Sequence, residues 1–282
     1  MKNRFVVYLV VFVMIIVSGA CATIIYHMSV MDETHVVFLD IGQGDAILIS
    51  HGSNQVLIDG GPDGTILLEE LGTYMPFWDR TIEIVVATHP DSDHIDGLVG
   101  VFEHYHVNQL WYTNADKDTA TYKKLLYNAN KEKNLEKIIA FYGLQARVGD
   151  GLLKVIYPYS SDVSRIEDVN AASITALFEI GNDVFYLGGD ITTEFEDKLP
   201  IDDKITILKA SHHGSNTSTS KKFLQKTNPK DVIISAGVHN RYGHPHKNVL
   251  MRIYRTGAQV FRTDQFGSIE YVCNESACYR NE

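Results

Sequence analysis

The chain has 282 residues, 45% of them hydrophobic and 21% charged, which excludes a disordered tail and suffices to bury one sizeable core or two small ones. Its net charge of −10 conceals an uneven distribution, because residues 204–262 carry eleven Lys/Arg against one acid, Asp231. A basic segment in an acidic protein suits a polyanion-facing surface, since phosphate contacts and counterion release act locally; each lysine taken singly reads as a solvated helix face.

From the N-terminus, Met1-Lys-Asn-Arg4 precedes an uncharged stretch of 22 residues, Phe5–Tyr26, long enough to cross a bilayer as one helix. Lys2 and Arg4 before it, with Asp32 and Glu33 after it, orient the remainder outside the cytoplasm. Ala20-Cys21-Ala22 also looks like a signal-peptidase site. Residues 1–30 are therefore expected to be a membrane anchor, or a signal peptide cleaved near Ala22 to release a secreted protein. Val36–Leu39, Ala46–Ile49 and Val56–Ile58 then read as a β-meander. Strands at Ile82–Ala87, Asn108–Tyr112 and Ile138–Phe141 alternate with helices over Ile95–Tyr105 and Thr119–Lys133. A second set of strands covers Leu152–Ile156, Ser173–Ile180 and Val184–Leu187, the last two joined at the hairpin signal Gly181-Asn-Asp183. Strand and helix alternate again through Ile205–Ala210, a helix from Ser218, Val232–Ser235, a helix from Lys247, and strands at Gln259–Arg262 and Ser268–Val272. Two blocks of this kind predict an α/β protein of two packed sheets with helices outside. Cys273 and Cys278 either close a small disulfide loop or stay as free thiols.

Candidate ligands fall at the predicted strand ends. His89-Pro-Asp-Ser-Asp-His94 places four imidazole or carboxylate groups in six residues after an apolar strand, a donor set suited to a divalent cation such as zinc or manganese. Gly188-Gly-Asp190 ends a later strand in a carboxylate that can bridge two cations. Ser211-His-His-Gly-Ser215 and Tyr242-Gly-His-Pro-His246 follow the next two strands. Phe38-Leu-Asp-Ile-Gly-Gln-Gly-Asp45 is a Gly-rich turn with two acids.

In this order, Thr88-His-Pro-Asp-Ser-Asp-His-Ile-Asp-Gly97, Gly188-Gly-Asp190 and His212-His-Gly-Ser215 resemble the metallo-β-lactamase fold. Together with the Phe38–Ile49 turn and Asn240-Arg-Tyr-Gly-His-Pro-His246, they look like the extracytoplasmic hydrolase domain of ComEC-type competence proteins. The resemblance covers roughly residues 35–272. It implies a four-layer αββα sandwich over residues 33–282 and a nuclease or phosphodiesterase activity with one or two divalent ions, zinc or manganese. It implies that His89 and Asp91 ligate a first metal, Asp93 and His94 a second, and Asp190 bridges them. One of His212 and His213 supplies a further ligand, with His213 preferred. His244 and His246 orient the scissile group or protonate the leaving oxygen, and Asp93 takes a proton from the bridging water. The chain departs from the superfamily at Asp91, where a second His is usual, at Asp96, where Gly is common, and at Asn170–Ser173, where a further His is missing. Fewer nitrogens shift the first position toward manganese or magnesium, or weaken it until one metal suffices.

The reading that joins these features is an extracytoplasmic, metal-dependent hydrolase of phosphodiesters in nucleic acid. Two others stay open. One keeps the metals but changes the substrate to a cell-envelope phosphodiester or an ester; the other is a non-catalytic DNA-binding surface module with a structural metal.

Overall fold

The meander expected after residue 35 is formed by β1 (Thr34–Phe38), β2 (Ile47–His51) and β3 (Asn54–Ile58). Alternate residues serve two cores: Val36, Phe38, Ile47, Ile49, Val56 and Ile58 face the second sheet, while Val37, Leu48 and Leu57 face a helical layer. Burial on both faces is why these strands read as nearly continuous apolar runs. The sheet continues in parallel from β3 through β4 (Thr81–Ala87), β5 (His106–Tyr112) and β6 (Glu136–Ile139). The crossovers contain helices α1 (Gly64–Tyr74), α2 (Ser92–His104) and α3 (Ala120–Lys131). On the other side of β1 lie β14 (Ile269–Cys273) and β15 (Cys278–Arg280), joined by a Cys273–Cys278 disulfide. The computed structural model describes residues 33–281 except 116, 164, 165, 202 and 203, together with residues 4, 8, 11–19 and 21. Those N-terminal residues are helical; the rest of the expected anchor or signal segment, including Ala22, lies outside the described residues. Among the described residues no helix is long and apolar enough to cross a membrane.

The second sheet comprises β7 (Gln145–Val148), β8 (Gly151–Tyr157), β9 (Thr175–Ile180), β10 (Asp183–Leu187), β11 (Ile207–Lys209), β12 (Asp231–Ile234) and β13 (Gln259–Arg262), in spatial order from β13 back to β7. Gly181-Asn182 closes the antiparallel β9–β10 hairpin, whereas β10 to β13 run parallel. Short helices α4 (Thr193–Glu196) and α7 (Thr263–Phe266) interrupt the connections. Phe223 and Leu224 of α5 (Lys221–Thr227), with Val249 and Ile253 of α6 (Lys247–Tyr254), cover the outer face. The molecule is thus the expected sandwich, helices on sheet on sheet on helices. Between the sheets Phe178, Phe185 and Tyr271 pack ring against ring, each burial contributing roughly 1.5–3 kcal/mol.

This topology brings the ends of β3, β4, β10, β11 and β12 to one edge, where open α/β sheets gather ligands. The loop after β3 is sewn to α2 there: Gly60 N–H donates to His94 O (2.7 Å) and Gly97 N–H to Gly61 O (2.9 Å). A Cβ on Gly97 would stand 1.8 Å from Gly60 O, so the contact requires glycine. The consequence is functional, because it fixes Asp59 against His94.

Candidate metal centre

Four elements deliver the predicted ligands to this edge. His89 follows β4, Asp91 stands at the N-cap position of α2 without a side-chain capping bond, and Asp93 and His94 lie in its first turn. Asp190 follows β10, and His212 and His213 form a tight turn after β11. Both of those histidines have left-handed backbone, φ 53° and 52°, which costs on the order of 1–3 kcal/mol each and is found mainly where side-chain placement matters. A second loop lies beneath α2: a Cβ on Gly44 would lie 2.1 Å from Asp93 O, and this close approach carries Asp45 under the site.

Asp190 is the hub. Its Oδ1 lies 3.4 Å from His94 Nε2, and its Oδ2 lies 3.5 Å from His212 Nε2, 3.6 Å from His213 Nε2 and 4.0 Å from His89 Nε2. Asp93 Oδ2 is 3.5 Å from His213 Nε2. Yet His89 Nε2, His94 Nε2, His213 Nε2 and Asp190 Oδ1 are buried without a hydrogen-bond partner, an arrangement that costs about 1–3 kcal/mol per group if nothing joins them. Ligands around a tetrahedral ion with bonds of about 2.1 Å stand roughly 3.4 Å apart, the spacing observed. The donors therefore fit a cation held by Asp93, His94 and His213, with Asp190 3.4 Å and 3.6 Å from the two imidazoles. His89 joins His94 and Asp190 in an adjoining group, while Asp91 and His212 join none of the compact three-donor groups among the described residues. Asp91 instead pairs with Lys117 at 2.5 Å.

The far side of each imidazole is fixed. His94 Nδ1–H donates to Asp59 Oδ2 (2.7 Å), and Thr88 Oγ1–H donates to the same oxygen (2.7 Å). Thr88 Oγ1 thus accepts from His89 Nδ1 (3.0 Å), and one carboxylate orients two rings. His213 Nδ1 faces Ser235 O at 3.2 Å and Asp45 Oδ1 at 3.3 Å, and His212 Nδ1 faces Thr217 Oγ1 at 3.1 Å. The Nε2 atoms of His89, His94 and His213 are left without a hydrogen-bond partner. Asp45 is in turn neutralised by Lys209, a fully buried ammonium 2.5 Å away. Neither Asp59 nor Lys209 stood out in the sequence, although Asp59-Gly-Gly61 repeats, in reverse, the logic of Gly188-Gly-Asp190: an acid and two glycines at a strand end. Asp59→Asn, which tolerates the native φ of 59°, is expected to weaken metal affinity 10- to 100-fold as measured by chelator competition; unchanged affinity would show that Asp59 does not orient the ligands.

Electrostatics make the cluster a cation trap. Burial opposes charge on Asp190, but His213 and His94 hold it well below the ordinary carboxylate value. Asp93 is likewise lowered to about 2, His213 and His94 outweighing its burial. Burial disfavours imidazolium at His213, yet Asp190 and Asp45 push it up to about 9; Asp190 and Asp59 raise His94 well above its usual value. His89 goes the other way, to about 4, through burial and the neighbouring His94. Protons and a cation therefore compete for the same nitrogens.

A cleft of about 230 Å³ opens over these groups, lined among others by Gln43, Asn170, Tyr242 and His244. His244 stacks on Tyr242 at 5.7 Å, and its ring lies 5.6 Å from that of His212. Burial and the nearby histidines lower it to about 4, so at neutral pH it is a neutral ring and a poor proton donor. His246 sits behind it, 5.0 Å ring to ring. Of the basic segment, Arg241 stacks on Tyr242 at the cleft mouth and Lys209 lies beneath the site. Lys226, Arg252 and Arg262 are engaged elsewhere, with Leu199 O, Ser218 O and Asp264. Arg241 therefore places one cation of the segment read as polyanion-facing beside the cleft. His104 ends α2 and His106 begins β5, at the opposite edge.

Comparison with known proteins agrees with this geometry. Residues 39–239 match the family described as Metallo-beta-lactamase superfamily. The chain is 30% identical to ComE operon protein 3 of Bacillus subtilis (strain 168), over 92% of this chain and 36% of that protein. It is 27% identical to Recombination protein 2 of Haemophilus influenzae, over 88% of this chain and 30% of that protein. With Competence protein ComA of Neisseria gonorrhoeae it shares 25% identity over 85% of this chain and 32% of the relative. The chain thus spans about a third of the length of these relatives. Among solved structures, the metallo-beta-lactamase fold protein YhfI from Bacillus subtilis superposes with a TM-score of 0.55 at 11% identity, covering 88% of this chain and all (100%) of that one. A diphosphatase from the PhnP family gives a TM-score of 0.50 at 15% identity, covering 85% and 98%. Both share the fold.

Proposed function

We propose that this chain, which belongs to the metallo-β-lactamase superfamily, is a metal-dependent phosphodiesterase that cleaves nucleic acid outside the cytoplasm. The observation that carries the reading is the set of unpartnered Nε2 and carboxylate atoms around Asp190, beneath an open cleft. A divalent cation held there would supply Lewis-acid polarisation of a phosphoryl oxygen and would make water easier to deprotonate. Asp93, 27% exposed beside buried ligands, accepts the proton of the attacking water. His244, kept neutral, orients the scissile phosphate rather than protonating the leaving oxygen; His246 supports its ring from behind. Arg241 and Tyr242 at the mouth offer a cation and an aromatic face for backbone and base. The cleft is smaller than the roughly 300–1,000 Å³ of pockets that enclose a whole small molecule, which favours gripping one phosphodiester of a longer chain. Relatives named for competence and recombination support a nucleic acid over an envelope ester.

In this reading residues 33–282 are the hydrolase domain, and residues 1–30 are an anchor or a cleaved signal. The Cys273–Cys278 disulfide supports an oxidising compartment. The test is cleavage of single- and double-stranded DNA and of a small aryl phosphodiester with added manganese or zinc. Wild type is expected to cut DNA with strong salt dependence, and Asp93→Asn to cut it at least 100-fold more slowly. A metal-loaded wild type that cuts neither substrate overturns the proposal.

A further inference from the structure

We infer that Lys117 stands in for one cation of a two-metal arrangement, so that the centre binds a single divalent ion tightly and a second only weakly. The inference rests on the metal-centre reading above and divides the site into two unequal halves. One half is the more complete: His94, Asp190 and His213 present buried, unpartnered donors, and Asp93 joins His94 and His213 at ligand spacing. The other half is depleted. Its buried, unpartnered imidazole among the described residues is His89, whose Nε2 lies 4.0 Å from the shared Asp190. Asn170, lining the same cleft, offers only a neutral carbonyl, a buried Oδ1 without a partner. The carboxylate that would add charge there, Asp91, also lines the cleft but has Lys117 Nζ on its Oδ1 at 2.5 Å.

Lys117 reaches Asp91 from the loop after β5, far in sequence from every ligand, and the pair is partly shielded, 38% and 24% exposed. An ammonium at that position does two things. It occupies the carboxylate as a hydrogen-bond acceptor, and it places a positive charge beside the spot where a second dication would sit. Lys209 does the same for Asp45 beneath the complete half, but from the far side of His213, where its charge leaves the Nε2 atoms free. The two lysines therefore have opposite effects: Lys209 completes the tight position and Lys117 blocks the other.

The test is calorimetric titration of the 282-residue chain with Mn²⁺ alone, and separately Zn²⁺ alone, with the stoichiometry checked by elemental analysis. Wild type is expected to show one tight ion and a second at least 100-fold weaker. Lys117→Ala should tighten the second ion at least tenfold while leaving the first within twofold, and Lys117→Arg should behave as wild type. Adding Asp91→Asn to Lys117→Ala should abolish the gain. Two ions of like affinity in wild type, or an unchanged second ion in Lys117→Ala, overturn the inference alone; a wild type that binds no ion overturns it together with the metal-centre reading.

Discussion

Asp190→Asn is expected to weaken metal binding and to lower kcat/KM for the proposed phosphodiester cleavage by about 10³-fold or more, the scale of losing a preorganised electrostatic group in a buried site. Asp190 faces four imidazoles within 4.0 Å, so one substitution removes a ligand from both halves of the site. The amide is isosteric and keeps the backbone N–H bond to Ser173 Oγ, which separates loss of charge from loss of fold. It also takes away the main charge that holds protons on His94 and His213, leaving more neutral imidazole but no anion to draw in the cation. Elemental analysis after dialysis reads the metal, the phosphodiester assay reads the rate, and thermal melting checks the fold. A folded Asp190→Asn that retains wild-type metal would remove Asp190 from the centre of the site.

Elements whose residues are buried on both faces were legible. Every strand of the parallel core, β4, β5, β10, β11 and β12, was found within a few residues, because apolar runs bounded by ligands leave little choice. What escaped was held by few apolar residues. Helix α1 buries only Leu67 and Leu71 and begins at Asp63-Gly64, which reads as a turn until Asp63 is seen to cap it through Thr65 N–H at 2.7 Å. The edge strands β7 and β15 are four and three residues long and bury only Val148, so alternation had no length in which to appear. The same contrast holds in the site. Residues in dense motifs, from His89 to His94 and at His212-His213, stand out because their chemistry is concentrated. Asp59, Lys209 and Lys117 act on His94, Asp45 and Asp91 at sequence separations of 35, 164 and 26, and nothing local announces a partner that far away. Asp45 was visible as an acid in a Gly-rich turn, but its task under His213 depended on the close approach at Gly44.

Metal affinity should rise steeply with pH. At neutral pH His213, raised to about 9, and His94, raised well above its usual value, both carry protons that a cation must displace from Nε2. Each displaced proton gives about tenfold in apparent affinity per pH unit, so two give roughly 10⁴-fold between pH 6 and 8, flattening as the pH passes His213's value. Asp93, lowered to about 2, stays ionised throughout and adds no slope. Titration calorimetry in buffers of different ionisation enthalpy should count the released protons directly. Stability must show the opposite sign without metal. A folded-state imidazole raised from about 6.5 to about 9 contributes stability that is fully present below pH 6.5 and is lost as pH rises through 9. Chelated protein should therefore melt at progressively lower temperature from pH 6.5 to 9, while metal-saturated protein melts higher over the same range, because the ion replaces the protons as counter-charge to Asp190, Asp93 and Asp59. Affinity that does not change between pH 6 and 8, or chelated protein that gains stability toward pH 9, would mean that these imidazoles are already neutral and that the carboxylates do not hold protons on them.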